Sequence, residues 1–442
     1  METVTVLGAG LAGCEAACQL ADRGIRVRLF EMKPRKMTPA HHYPGFGELV
    51  CSNSLKAKRL DSAAGMLKEE MRLFGSVILQ AADRCEVPAG GALAVERERF
   101  SDLITQAVRG RKNIEVVEEE AVGIPDGHTI VATGPLTSDR LAQAIKALCG
   151  RDTLSFFDAA APIVTAESID MSVAFMASRY GRGDDDYINC PMNREEYERF
   201  YAALVTAEAA PLKDFDREFF RVYEGCMPIE VMAKRGEDTI RFGPLKPIGL
   251  RDPRTGHRPW AVVQLRKENA ASTLYNIVGF QTNLKFPEQK RVFSLIPGLE
   301  QAEFVRYGVM HRNTFLDSPR LLNQYFQLKT RPSLFFAGQM TGVEGYIESA
   351  ASGILAGYHM ANLLEGKALL SLPSVSMMGA LSKYISDESV ACFQPMGCNM
   401  GILPGLDTQV RDKKLRYQML AERGIKALKE ALEQDKQRQA AV

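Results

Sequence analysis

The sequence has no surplus of either charge: 55 Lys and Arg stand against 54 Asp and Glu, a net of +1 over 442 residues. A molecule so balanced projects no overall field toward nucleic acid or a membrane surface, so any polyanion site must be local. No apolar run approaches the roughly 18 residues that cross a bilayer, which excludes a membrane-spanning helix. Nor does a charged segment followed by an apolar one precede the first strand-like run, so no secretory signal is expected and the chain reads as cytoplasmic. The nine cysteines are odd in number and scattered (Cys14, Cys18, Cys51, Cys85, Cys149, Cys190, Cys226, Cys392 and Cys398), which fits reduced thiols and not a disulfide framework. Cys392 and Cys398 lack the second ligand pair that a zinc site needs, so no metal is expected. Cys14 and Cys18, four apart on one helix face, read as small core residues. Internal repeats and low-complexity tracts are absent as well.

What is present is an average globular composition, 46% hydrophobic and 25% charged, with length for about three domains, or two with one large. Val4–Leu7 is a buried-strand candidate, and Gly8-Ala9-Gly10-Leu11-Ala12-Gly13 follows without a gap. Residues 14–23 then carry Ala16, Ala17, Leu20 and Ala21 at helical spacing. Gly24 fits a C-cap, and Ile25–Glu31 is a second strand. The glycines of Gly8-x-Gly10-x-x-Gly13 serve three separate ends, namely a tight turn, backbone approach to a pyrophosphate, and close packing of helix on strand. The helix N-terminus offers unpaired N–H groups to phosphate. Glu31, at the end of the second strand, stands where an acid holds a ribose hydroxyl.

Two further segments favour FAD over NAD. Thr129–Gly134 resembles the strand-to-turn element of FAD-binding domains, with Thr133 and Gly134 at the turn. Leu334–Gly342 with Glu344–Gly357 resembles their distal motif, in which a strand end and a helix N-terminus meet the ribityl and pyrophosphate groups. Gly338, Gln339, Glu344, Gly345 and Ser349 are the candidate contacts there. Where many such flavoproteins have an acid, this chain has Gln339, which implies a neutral hydrogen bond to the ribityl chain. No second glycine fingerprint occurs, so a reducing nicotinamide has no dedicated Rossmann domain. Together with the lack of a Cys-x-x-Cys pair, this argues against a disulfide reductase.

Between these segments the texture changes. Glu115–Val122 and Thr129–Ala132 read as strands, but after residue 155 proline and aromatics become denser. Trp260–Leu265 and Leu274–Phe280 then read as strands and Asn193–Thr206 as a helix. The α/β pattern returns with the strand Leu334–Ala337 and the helix Ser349–Leu364, and a charged helix spans 411–439. The expected fold is α/β: an FAD-binding Rossmann-type domain of glutathione-reductase-like architecture, formed by 1–155 and 305–442, with a mixed α/β domain inserted over 156–304.

Two loop cysteines stand in basic surroundings. Around Cys51 are Lys33, Arg35, Lys36, Lys56, Lys58 and Arg59 against the single acid Glu48. Cys226, in a segment broken by Gly225 and Pro228, is followed by Lys234, Arg235, Arg241, Lys246, Arg251, Arg254, Arg258, Arg266 and Lys267 against Glu237, Asp238 and Asp252. A cationic setting lowers a thiol pKa and yields a nucleophilic thiolate, and it also attracts phosphate. Taken alone, either cysteine also fits a buried structural thiol.

The longer runs carry a resemblance. Thr38–His42, Glu48–Leu55, Pro88–Val95, Glu224–Ala233, Tyr307–Thr314 and Phe336–Gly353, with Gly8–Gly13, are similar to the folate- and FAD-dependent tRNA uracil-5-methyltransferases, relatives of the glucose-inhibited division protein A family. The resemblance implies methylation at C5 of a T-loop uridine in tRNA, the carbon coming from methylenetetrahydrofolate and the electrons from FADH2, with NAD(P)H as ultimate reductant. It implies Cys226 as the thiolate that adds to C6 and Cys51 as the second essential thiol, with the two roles exchangeable. His311 is a candidate folate contact, and an equally good candidate for a hydrogen-bonded core histidine. Alternatives are a wobble-uridine modifier, an RNA-binding module with a structural flavin, and an NAD(P)H-dependent flavin oxidoreductase. No obligate protein partner is implied.

Overall fold

The structure, a computed structural model, describes residues 2–38, 40–149, 153–159, 161–181, 184–210, 227–269, 271–308, 310–390 and 393–440. Strand β1 (Thr3–Leu7) leads through a glycine turn into the helix Leu11–Asp22 and back into β2 (Arg26–Phe30). Gly24, in the left-handed region, ends the helix with its N–H on the Ala21 carbonyl. A small antiparallel sheet follows, β3 (Ser54–Ala57), β4 (Glu86–Val87) and β5 (Ala92–Val95), with β5 in the middle. The helix Arg97–Arg109 then leads to β6 (Ile114–Val117) and β7 (Thr129–Val131).

β8 (Thr153–Ala159) pairs antiparallel with β15 (Met310–Leu316), and the chain between them builds a second sheet. That sheet comprises β9 (Ile163–Thr165), β10 (Phe175–Met176), β11 (Tyr187–Met192), β12 (Ala261–Lys267), β13 (Leu274–Ile277) and β14 (Phe304–Arg306). Its order is β10-β11-β12-β13-β9-β14, antiparallel throughout. The capping-box helix Arg194–Thr206 and the helix Phe286–Phe293 bury Phe200, Leu204, Val292 and Phe293 in a core with this sheet.

β16 (Leu334–Phe336) returns the chain to the first sheet, whose order is β16-β7-β1-β2-β6 and whose pairs are all parallel. From β1 the chain winds one way to β2 and β6, then crosses to β7 and β16 on the other side. The carboxyl end of β1 is therefore a topological switch point, where open α/β sheets hold their ligands. The fold is thus α/β with a Rossmann-type parallel sheet. The helix Tyr346–Leu364 packs directly on Leu11–Asp22. A Cβ on Gly353 would lie 2.1 Å from the Ala12 carbonyl oxygen, and one on Gly357 2.7 Å from that of Ala16. Only glycine lets the two helices approach so closely.

Several sequence boundaries are corrected. The Glu115–Val122 strand ends at Val117, because Glu118, Glu119 and Glu120 turn out to meet Arg109, Arg35 and Lys36. The first helix begins at Leu11 and the distal one at Tyr346, each three residues earlier than residues 14 and 349, because each starts directly after its capping glycine, Gly10 and Gly345. The last helix runs over Lys413–Ala440. Among the described residues no helix is long and apolar enough to cross a membrane.

Candidate active site

The glycine turn shows three distinct environments. Gly8, at φ +95°, would place a Cβ 2.8 Å from the Ala132 carbonyl oxygen, and a Cβ on Gly13 would collide with the Gly8 carbonyl at 1.8 Å. A Cβ on Gly10 meets nothing within 4 Å. Gly10 instead faces a cleft of about 620 Å³, lined also by Gly8, Ala9, Glu31, Lys33 and Thr133. The helix that starts at Leu11 has neither a side-chain cap nor an acid in its first turn, so its leading N–H groups are left for a ligand. An open glycine before an uncapped helix start fits a pyrophosphate.

Glu31 fixes the cleft's far wall. One carboxylate oxygen accepts the Ala9 N–H at 2.8 Å and the other the Lys33 N–H at 2.9 Å, which leaves each with a lone pair for a hydroxyl donor. Lys33 is itself buried and donates to Glu48, at 3.1 Å, and to the Tyr43 and Gly45 carbonyls. Thr133, on the turn after β7, shares a 2.6 Å hydrogen bond with Thr137, and Gly134 is left-handed at φ +67°.

The distal residues gather at the second helix start. Gly338, at φ +84°, donates its N–H to Ser352 Oγ at 2.7 Å, and Gln339 Nε2 donates to Glu344 Oε2 at 2.7 Å. Gly345, at φ +124°, caps the helix and accepts the Ser349 N–H. Ser349 returns its carbonyl to the Ser352 hydroxyl. Beneath this turn Glu348 is wholly buried, paired with Lys56 and accepting the Cys398 N–H at 2.9 Å.

Cys51 sits beside that helix start. Its N–H donates to the Tyr346 phenol oxygen at 2.8 Å, and the Ser52 N–H reaches the same oxygen at 3.2 Å. Burial, then Cys51, pushes the Tyr346 hydroxyl above its ordinary range. Three arginines from three elements clasp the loop. Arg97 donates to the Leu49 and Cys51 carbonyls, Arg306 to the Val50 carbonyl, and Arg266 to Ser52 Oγ at 2.9 Å and Asn53 Oδ1 at 3.0 Å. Asn53 in turn donates to the Val95 and Lys267 carbonyls, tying the loop to both β5 and β12.

The source of positive charge differs from the sequence expectation. The six neighbouring cations are each engaged by an acid: Lys33 with Glu48, Arg35 with Glu119, Lys36 with Glu120, Lys56 with Glu348, Lys58 with Glu86 and Arg59 with Asp61. The guanidinium groups acting on the Cys51 sulfur are instead those of Arg97, Arg266 and Arg306. Burial alone would lower Arg97, but Glu268 beside it holds its charge above the ordinary range; burial lowers Arg266 and Arg306.

The sequence candidates therefore form two groups that meet. Gly8, Ala9, Gly10, Leu11, Ala12, Gly13, Glu31, Thr133 and Gly134 shape the cleft and its turn, and Gly338, Gln339, Glu344, Gly345 and Ser349 shape the second helix start, joined to the first by the Ala12–Gly353 contact. Cys51 borders the second group. Cys226 lies outside the described residues. His311 is on β15, in register with Asp158 of β8. Sequence reasoning missed Tyr346, Arg97, Arg266 and Arg306 as neighbours of the thiol. The available signal was an arginine in or directly after apolar strand residues, as at Arg266 after Leu265 and Arg306 after Phe304 and Val305.

Comparison with known proteins gives a consistent picture. The model of the family described as glucose inhibited division protein A matches residues 3–368. A methylenetetrahydrofolate–tRNA-(uracil-5-)-methyltransferase TrmFO of Acetivibrio thermocellus is 60% identical over 97% of this chain and 98% of its own. The protein of the same name from Brevibacillus brevis is 59% identical over 96% of each. Among solved structures, Aquifex aeolicus GidA superposes with a TM-score of 0.68 at 16% identity, covering 98% of this chain and 75% of that one, a likeness of fold.

Proposed function

Because the chain belongs to the glucose inhibited division protein A family and, within it, to the methylenetetrahydrofolate–tRNA-(uracil-5-)-methyltransferases, we propose that it methylates C5 of the T-loop uridine of tRNA. The carbon comes from methylenetetrahydrofolate, and the reaction takes place in the cytoplasm. FAD, reduced by NAD(P)H, supplies the hydride that completes the methyl group. The residues that would hold FAD are Gly8–Gly13, Glu31, Thr133 and Gly134 on the nucleotide side. Gly338, Gln339, Glu344, Gly345 and Ser349 serve the ribityl side.

The observation that carries this reading is the place of Cys51, bonded through its N–H to Tyr346 at the start of the distal helix and ringed by three guanidinium groups. Uracil C5 is a poor carbon nucleophile until a nucleophile adds to C6. In this proposal the Cys226 sulfur makes that bond, the enolate carbon C5 attacks the methylene carbon as one of its bonds to folate nitrogen breaks, and the Cys51 thiolate accepts the C5 proton as the second carbon–nitrogen bond breaks and tetrahydrofolate leaves, so that an exocyclic methylene remains to take up the hydride. Expulsion of the Cys226 sulfur then restores the ring. His311 is proposed as the folate contact.

The test is a T-arm transcript incubated with the flavin-loaded protein, methylenetetrahydrofolate and NAD(P)H. Appearance of 5-methyluridine in the T-loop supports the proposal, and unmodified RNA refutes it. A 5-fluorouridine T-arm separates the thiol roles. An adduct lost on Cys226→Ala keeps the assignment, whereas one that survives this change but is lost on Cys51→Ala exchanges the two.

A further inference from the structure

Four aromatic rings run in a row from the core of the six-stranded sheet to the surface. Phe293 is fully buried, and its ring centre lies 6.4 Å from that of Phe304 on β14. Phe304 lies 5.2 Å from Tyr307 with the ring planes 9° apart, and Tyr307 lies 4.8 Å from Phe286 at 15°. The last three rings are thus nearly parallel, in offset stacks. Phe286 ends the row at the start of its helix, packed on Tyr307 yet 51% exposed. A single exposed apolar side chain needs no explanation. A ring held at the open end of an aromatic stack is different, because it offers a fixed flat surface to a further ring.

Hydrogen bonds tie this row to both thiol-bearing segments. Arg306, the residue before Tyr307, donates to the carbonyl of Val50, the residue before Cys51. Ile229, three residues after Cys226, donates its N–H to the Gln281 carbonyl at 2.7 Å, and the chain runs on from Gln281 to Phe286. The charges nearby are of both signs. Lys285 pairs with Glu208 and Arg291 with Glu288, whereas Lys290, one helical turn after Phe286, has no ion pair among the described residues.

We propose that Phe286 is the stacking platform for an unpaired nucleobase of the T-arm, the one next to the uridine that is methylated, with Lys290 at the adjoining phosphate. The inference rests on the reading of the chain as a tRNA uracil-5-methyltransferase and names the part of the substrate that the six-stranded sheet holds. A uridine leaves its stack before a thiolate reaches C6, and its departure uncovers the face of the base beside it. An aromatic ring covers that face again, whichever base it is, and such a contact is worth about tenfold in affinity. Since the row is bonded to the segments of both sulfurs, the base it holds lies beside the one that reacts.

The test is equilibrium binding of a fluorescein-labelled T-arm RNA to the flavin-loaded protein, read by anisotropy at several salt concentrations without folate or NAD(P)H, so that no turnover occurs. Wild type is compared with Phe286→Tyr, Phe286→Leu, Phe286→Ala and Lys290→Met. Phe286→Tyr keeps the affinity within about twofold, whereas Phe286→Ala weakens it about tenfold and Phe286→Leu about fivefold or more, with the salt dependence unchanged. Lys290→Met lowers the slope of log affinity against log salt by about one, and an unchanged slope overturns the phosphate contact. Equal affinities of Phe286→Ala and wild type overturn the platform. So does a Phe286→Leu protein that binds like wild type, since any apolar side chain then suffices. Weaker binding of methylenetetrahydrofolate with RNA binding unchanged overturns it in favour of folate. Should Phe286→Ala fail to retain flavin, Phe286→Tyr against Phe286→Leu makes the same comparison. RNA binding that depends on Phe286 in a protein that leaves the T-arm unmethylated keeps the platform and sinks the functional reading. Methylation by a protein whose RNA affinity ignores Phe286 does the reverse.

Discussion

The main-chain N–H of Cys51 and the phenol oxygen of Tyr346 meet at 2.8 Å across 295 positions of sequence. This hydrogen bond fastens the thiol loop to the first residue of the helix whose start is proposed to meet the flavin. The loop is also held by Arg97, Arg266 and Arg306, and the phenol adds its direct tie to the helix.

Replacing Tyr346 by Phe leaves the Cys51 and Ser52 N–H groups without their acceptor. A buried donor left unpaired costs about 1–3 kcal/mol, so the melting temperature falls. Methyl transfer slows further than the stability loss explains, because the loop carrying the sulfur loses its anchor. Thermal unfolding of the flavin-loaded protein and single-turnover rates measure the two effects.

Gly10 and Gly13 respond oppositely to the same substitution. Gly10→Ala adds a methyl where nothing lies within 4 Å, so the protein folds normally but binds FAD more weakly. Gly13→Ala forces a Cβ to 1.8 Å from the Gly8 carbonyl oxygen, and Gly353→Ala one to 2.1 Å from that of Ala12. These two lose about 1–3 kcal/mol or more of stability through strain. Flavin absorbance after gel filtration, with urea unfolding, distinguishes the classes.

Lys56→Met strands the buried Glu348 carboxylate with one backbone donor in place of an ammonium. Removing one partner of a buried pair costs about 3 kcal/mol. The double variant Lys56→Met/Glu348→Gln recovers most of that, since no charge is then left uncompensated. Urea midpoints of the single and double variants check this.

Much of the fold was legible because its signals are local. The glycine turn, the helix after it and the acid at Glu31 lie within one βαβ unit, and each glycine's role follows from its own backbone. The strand at Leu334–Phe336 announces itself by consecutive apolar residues. What surrounds Cys51 was not legible, because Arg97, Arg266 and Arg306 come from a helix and two strands distant in sequence. The cations next to Cys51 in the chain were misleading for the same reason: their acids, such as Glu348 for Lys56 and Glu119 for Arg35, are also distant. The small sheet of β3, β4 and β5 escaped notice because strands of two to four residues carry too little alternation to register.

Stability also depends on pH through two buried acids. Burial pushes Glu70 up to about 8 and Glu15 up to about 7, although each accepts backbone N–H groups, from Met377 and Met378 and from Val77 and Ile78. A carboxyl whose folded value lies above its ordinary 4.5 contributes its full stability below 4.5 and loses it as pH rises toward the folded value. Unfolding free energy therefore declines between about pH 5 and 8, each group adding a slope approaching 1.4 kcal/mol per pH unit. Glu70→Gln flattens that decline, as urea titrations at several pH values will read.

The most direct test of the account is the transfer of labelled carbon from methylenetetrahydrofolate to the T-arm uridine by wild type and by Cys51→Ala, each matched for bound flavin. The expected result is equal flavin content with methyl transfer reduced by a factor of about 1,000 or more in the variant. Transfer by Cys51→Ala at the wild-type rate would contradict it.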